Sequence, residues 1–369
     1  MRSSMSSRER CLRAIRGEPT DRVPIRLWGV DPFMPAPRPE WQHLCDLVNE
    51  FELDNILHFS GEWPPSPVEV SYEDRDTGDP EWYEQTVTTR TPAGNLRQIS
   101  RLHRGGKPGY TRKHQIETVE DARRWLSIPE ADLPDASAFS ARVDQIGERG
   151  LVMAGLREPM YTVNDATGSE VWGYWLHDER ELLHEMVAKA AGREYAILRR
   201  YLDQGVGPLF GYVGPELCIP PLASPADFDD FVTRYDKPMI DMIHDAGGLV
   251  WVHCHGDMDP VLERFADMGL DCLNPMEPPP VGRLTLADAK ERVGGRMTLE
   301  GGIEVGDFQL LSPDQLAARV ERVMAMGKPG GRFILCPSSD HTHWPNMSQA
   351  IADNYRVFAE TAARLAPYS

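Results

Sequence analysis

The stretch Leu249-Val250-Trp251-Val252-His253-Cys254-His255-Gly256-Asp257 passes from an unbroken apolar run into side chains that bind protons and metals. Four to six apolar residues without polar alternation are the signature of a strand buried on both faces. Seven more runs share that form: Val23–Trp28, Asn55–Phe59, Leu151–Gly155, Leu209–Val213, Cys272–Met276, Met297–Gly301 and Phe333–Cys336. Helix punctuation lies between them. Ser224-Pro225 and Ser312-Pro313 each place a capping serine before a proline at the first helical position. Gln315 completes a capping box, Leu316, Val320 and Val323 form an apolar stripe, and Gly327 marks a stop. Alternating strands and helices pair in parallel through right-handed crossovers. Eight such units predict an α/β fold, a closed (β/α)8 TIM barrel. A doubly wound open sheet is the weaker alternative, because no GxGxxG follows the first strand.

Residues 62–130 interrupt this rhythm, being long, proline-rich and polar. Within them, Glu84–Thr91 and Leu96–Leu102 flank Pro92-Ala93-Gly94-Asn95 as the arms of a hairpin. The expectation is one barrel domain over residues 1–369, with a β-hairpin-rich insertion subdomain at about 62–130 between the second and third strands. A length of 369 residues suits an α/β barrel as a single unit. With 41% hydrophobic and 26% charged residues, the chain has ordinary globular composition and ample core. Its formal charge of −18 argues against binding nucleic acid or an anionic membrane surface. No apolar run approaches a membrane span, and the first residues carry charges where a signal peptide needs apolar ones. The cysteines at 11, 45, 218, 254, 272 and 336 are widely spaced and suggest reduced thiols in a cytoplasmic protein.

Barrel enzymes place their chemistry where strands end. Those ends offer Trp28, His58, Arg157 with Glu158, Tyr212, Glu216, His253, His255, Glu277, Glu300, and the segment Cys336 to His343. Residues two apart on a strand share a face, so His253 and His255 can converge while Cys254 points away. Two imidazoles so placed are candidates to chelate zinc, which needs a third protein ligand and an open position for catalysis; the alternative is a hydrogen-bonding pair. Cys336 offers a thiolate as third ligand, or else a small buried hydrophobe. Glu216, Glu277, Glu300 and Asp340 are oxygen alternatives, and His341 with His343 repeats the spacing on a loop. Arg157 is suited to a substrate carboxylate or to pairing with Glu158. Trp28, Phe33, Trp63 and Trp172 are candidate pocket walls.

Further stretches carry a family resemblance. Arg10–Gly17 with Asp21–Ile25, Thr89–Gly94, Ala246–Asp257 with Met268–Pro275, Leu299–Ile303 and Phe333–Asp340 are similar to segments of the uroporphyrinogen decarboxylase superfamily, which includes zinc-dependent, corrinoid-linked methyltransferases. The resemblance covers roughly residues 8–365 and implies a (β/α)8 barrel. It implies a zinc-dependent methyltransferase or demethylase that moves a methyl group between a small methylated ether, amine or thiol and a corrinoid held by a partner protein. Zinc would sit on His253, His255 and Cys336, Glu277 or Glu300 would manage the proton, and Arg157, Tyr212 and Trp28 would contact substrate. Two departures stand out. The methyltransferases carry HxC on the fifth strand and a cysteine after the last; here those positions hold His255 and Ser339. The arginine motif of the decarboxylase would fall near Leu27–Pro37, which contains no arginine. A metal-free decarboxylase and a catalytically silent small-molecule-binding barrel are the rival expectations.

Overall fold

Continuous apolar runs need cover on both faces, and the chain supplies it by curling a parallel sheet around its own side chains and wrapping helices outside. The computed structural model describes residues 4–340 and 347–368. Its strands are β1 (Ile56–Phe59), β2 (Val70–Asp76), β3 (Trp82–Thr91), β4 (Gly94–His103), β5 (Tyr110–Lys113), β6 (Leu151–Gly155), β7 (Leu209–Val213), β8 (Leu249–His253), β9 (Cys272–Met276), β10 (Thr298–Ile303) and β11 (Phe333–Pro337). Seven form one parallel sheet in the order β1-β6-β7-β8-β9-β10-β11. The other four form an antiparallel sheet, β2-β3-β4-β5, that lies in the chain between β1 and β6. At its centre Thr91 pairs with Gly94 across the turn.

The eighth strand expected over Val23–Trp28 is reduced to a single bridge, Ile25 to Leu335 of β11. Pro24 has no N–H to donate, so a continuous ladder is impossible there. The segment still spans the two sheet edges. Arg26 N–H donates to Leu335 O at 3.0 Å, Leu335 N–H donates to Pro24 O at 2.9 Å, and Asp54 N–H, just before β1, donates to Ile25 O at 2.6 Å. The buried Asp54 carboxylate fixes this join, accepting from Ile25 N–H at 3.0 Å and from Arg10 at 2.5 Å.

Period-two burial is visible strand by strand. Ile56, Leu151, Met153, Leu209, Leu249, Trp251, Cys272 and Ile334 form one inner cluster. Their neighbours Leu57, Val152, Ala154, Phe210, Val250, Val252, Leu273 and Leu335 belong to a second, outer cluster with the helices. Burying each large side chain contributes about 1.5–3 kcal/mol, which makes this double layer the main source of cohesion. The helix Ser7–Arg16 closes the end where the strands begin: Cys11, Ala14 and Ile15 join the inner cluster, and Thr298 Oγ1 donates to Ala14 O at 2.8 Å. The capping box at Ser312 forms, and its helix ends at Gly327. All six cysteines are buried and unbonded. Among the described residues, no helix is long and apolar enough to cross a membrane.

Candidate active site

The inner faces of β8 and β9 bring two histidines together at the opposite end of the sheet. His253 is the last residue of β8 and His255 follows two residues on; their ring centroids are 4.5 Å apart at 90°. Each ring is held through Nδ1. His253 Nδ1 lies 2.7 Å from Asn274 Oδ1, and His255 Nδ1 lies 2.8 Å from Glu277 Oε1. With those oxygens as acceptors, Nδ1 carries the proton in both rings and Nε2 keeps its lone pair wherever the ring is neutral. The second Glu277 oxygen accepts from Gly256 N–H at 2.6 Å. Both glutamate oxygens are therefore engaged in orienting His255 and its loop.

The two imidazoles differ electrically. Burial lowers the pKa of His253 to about 4, outweighing the upward pull of the Asn274 hydrogen bond, and the charge of His255 lowers it further. Burial also opposes charge on His255, but Glu277, Glu216 and Glu304 outweigh it and raise its pKa. Trp28 lies parallel to His253, with centroids 4.8 Å apart, and to Trp251 at 5.1 Å. His58 meets Trp28 edge-on at 5.9 Å.

Glu304, which follows β10, was not singled out by the sequence. Its Oε2 accepts from Ser338 Oγ at 3.0 Å, while its Oε1 is buried with no hydrogen-bond partner among the described residues. Burial, then the charge of Glu277, raises its pKa to about 7. Glu216 accepts from Gly214 N–H at 3.1 Å, and burial raises its pKa as well. The signal for Glu304 lay in Ser338, a buried hydroxyl just beyond the last strand that needs a partner.

Other expected site residues lie elsewhere. Glu300 is fully buried one layer below, where it pairs with Arg26 at 3.4 Å and accepts from Trp251 Nε1 at 2.7 Å. Cys336 lies in that deeper layer. Burial first, then the Glu300 charge, pushes its thiol well above the usual range, the reverse of what a thiolate ligand needs. Tyr212 is on the outer face of β7 beside Asp236 and Glu158, closed to substrate. Arg157 pairs with Asp165 at 3.0 Å, not with Glu158. Phe33 sits under Arg149, Trp63 is exposed and Trp172 packs on Phe231, so of the four aromatics only Trp28 reaches the histidines. Asp340 lies against Gly29. His341 and His343 fall outside the described residues.

The donor set fits zinc in part. Two imidazoles oriented through Nδ1 by an amide and a carboxylate are the arrangement of metal-ligating histidines. Among the described residues, however, no three His, Cys, Asp or Glu side chains form a ligand group.

Comparison with known proteins agrees with this architecture. A methyltransferase from Methanosarcina mazei superposes with a TM-score of 0.59 at 17% identity, over 98% of this chain and 99% of that one, a likeness of fold. A B12-independent methionine synthase from Shewanella sp. W3-18-1, in complex with selenomethionine, is similar at a TM-score of only 0.39 and 11% identity, over 80% and 75% of the two chains. No curated protein matches in sequence. The family model described as uroporphyrinogen decarboxylase (URO-D) matches residues 138–362, more than half of the sequence, and the chain belongs to that family.

Proposed function

We propose that this protein is a methyltransferase that takes a methyl group from, or gives one to, a small methylated substrate at the His253–His255 pair. The observation that carries the reading is the holding of both rings through Nδ1, by Asn274 and by Glu277. Zinc belongs to the proposal: His253 and His255 would hold it, and when bound it supplies a Lewis acid for the heteroatom that gains or loses the methyl. The residues of the chain do the rest. Asn274 and Glu277 fix the ring orientations, Trp28 covers one face of His253, and Glu304 is placed to move a proton through its unpartnered oxygen. A corrinoid on a partner protein is the proposed methyl carrier.

The surroundings favour an ether or amine over a thiol. Carboxylates, not thiolates, cluster around His255, and a harder donor set makes a stronger Lewis acid. They also disfavour decarboxylation of a polyacid. Arg26 is buried against Glu300, and Arg157 is paired with Asp165, so neither offers a free counter-charge.

The test is metal analysis of purified protein combined with a demethylation assay on methyl ethers and methylamines in the presence of cob(I)alamin. About one zinc per chain and a methylated cobalamin product are expected. Metal-free protein that decarboxylates porphyrinogens, or that binds ligands without turnover, would overturn the reading.

A further inference from the structure

A cavity of about 400 Å³ lies between the antiparallel sheet and the helices that follow β6, and it shares no residue with the histidine site. That volume suits a small organic ligand. We propose that it is a second ligand site, built for a small aromatic amine.

The argument begins with the groups in its wall. Arg157 is paired with Asp165 at 3.0 Å. Lys189 Nζ donates to the carbonyls of Leu126 at 3.2 Å and Ile128 at 2.7 Å. Arg193 donates to the carbonyls of Ala131 and Asp132. All three cations are thus engaged with the protein itself. Glu194 is not. It is only 5% exposed, and its Oε2 accepts the Arg157 N–H at 3.1 Å, yet no hydrogen bond reaches its other oxygen among the described residues. Glu194 lines the cavity, so a donor bound there can reach that oxygen. Burial raises its pKa to about 7, with Arg157 and Arg193 opposing, so a nearby positive charge would stabilise its ionised form.

The rest of the wall is apolar and aromatic. Trp125, Ile128 and Trp63 line it, and Trp63, 54% exposed, has Ser60 as its polar partner among the described residues. An ammonium group on Glu194 and a ring against Trp63 and Trp125 satisfy both halves of the site. Of the three carboxylates in the wall, Asp165 is matched by Arg157 and Glu130 by Lys189, whose Nζ lies 3.6 Å from it, so among the described residues Glu194 is the one left without an ion-pair partner, and an arriving anion meets its charge.

The experiment is calorimetric titration of the full chain with 2-phenylethylamine and, separately, with 3-phenylpropionate, a probe of similar shape and opposite charge. The amine is expected to bind one per chain and at least ten times more tightly than the acid. Glu194→Gln should weaken amine binding tenfold or more. Trp63→Ala, at an exposed position that the fold does not need, should weaken it severalfold and keeps the test open should Glu194→Gln fail to fold. His253→Ala with His255→Ala should leave amine affinity unchanged. Equal binding of the two probes, undiminished binding in either cavity variant, or loss of binding in the double histidine variant would overturn the proposal.

Discussion

Two neighbouring layers inside the curled parallel sheet hold the same kinds of side chain and behave in opposite ways. In the lower one, Glu300 and Arg26 face each other in full burial, and Trp251 donates to the second carboxylate oxygen. In the upper one, Glu277 holds His255, Asn274 holds His253, and Glu304 keeps an oxygen unpartnered. The lower layer is closed on itself: its charges balance within the fold. Polar atoms without a hydrogen-bond partner occur in both layers, on Arg26 and Glu300 below and on Asn274 and Glu304 above, but the upper layer carries more carboxylates than cations, which is how a site awaiting a ligand differs from a core ion pair. One step along a strand separates structure from chemistry.

Removing both histidines should have the largest effect. His253→Ala with His255→Ala is expected to abolish zinc binding and methyl transfer together, with the fold intact by circular dichroism; zinc retained at full occupancy would erase the distinction between the layers. Next comes the lower layer itself. Glu300→Ala leaves Arg26 buried and uncompensated, which should cost about 3–5 kcal/mol of stability, read from urea unfolding, while zinc content is unchanged in whatever protein folds.

Glu304→Gln should do the reverse, lowering turnover about a hundredfold with little loss of stability at neutral pH. Its pH dependence sharpens the point. The folded carboxyl titrates near 7, above its unfolded value of 4.5, so the folded state binds more protons between those values. Stability should therefore fall as pH rises through that window, and the Gln variant should lose this slope in unfolding midpoints measured from pH 5 to 8. The smallest effect belongs to Cys336→Ser, which should keep full zinc occupancy under chelator challenge, because the thiol lies in the closed layer. A tenfold drop in zinc affinity would instead place Cys336 among the ligands.

The difference between the layers also explains what the sequence could reveal. Apolar runs mark strands well, because burial on both faces demands them, and the two-residue spacing of His253 and His255 declared a shared face. Strand length was harder to judge. Gly301 and Gly302 look like the end of a strand that starts at Met297, which would leave Glu300 near the mouth. In the fold they lie inside β10 with φ of +135° and +96°. A Cβ on Gly301 would come within 2.6 Å of the Met276 backbone nitrogen, so glycine there allows close approach to β9. The strand runs on to Ile303, Glu300 is carried one layer down, and Glu304 takes its place. Asn274 escaped notice for another reason: an amide in an apolar strand announces nothing until its partner, on a different strand, is known.

The join made by Pro24, Ile25 and Arg26 has a consequence for biosynthesis. The carbonyl of Leu335 that receives Arg26 leaves the ribosome about three hundred residues after Arg26 itself, and Pro367, to which Arg22 bridges, later still. Until then the nascent sheet has two open edges, the form in which unfinished strands pair with other chains. The nascent chain must stay unaggregated while those roughly three hundred residues are added, before the two segments can meet.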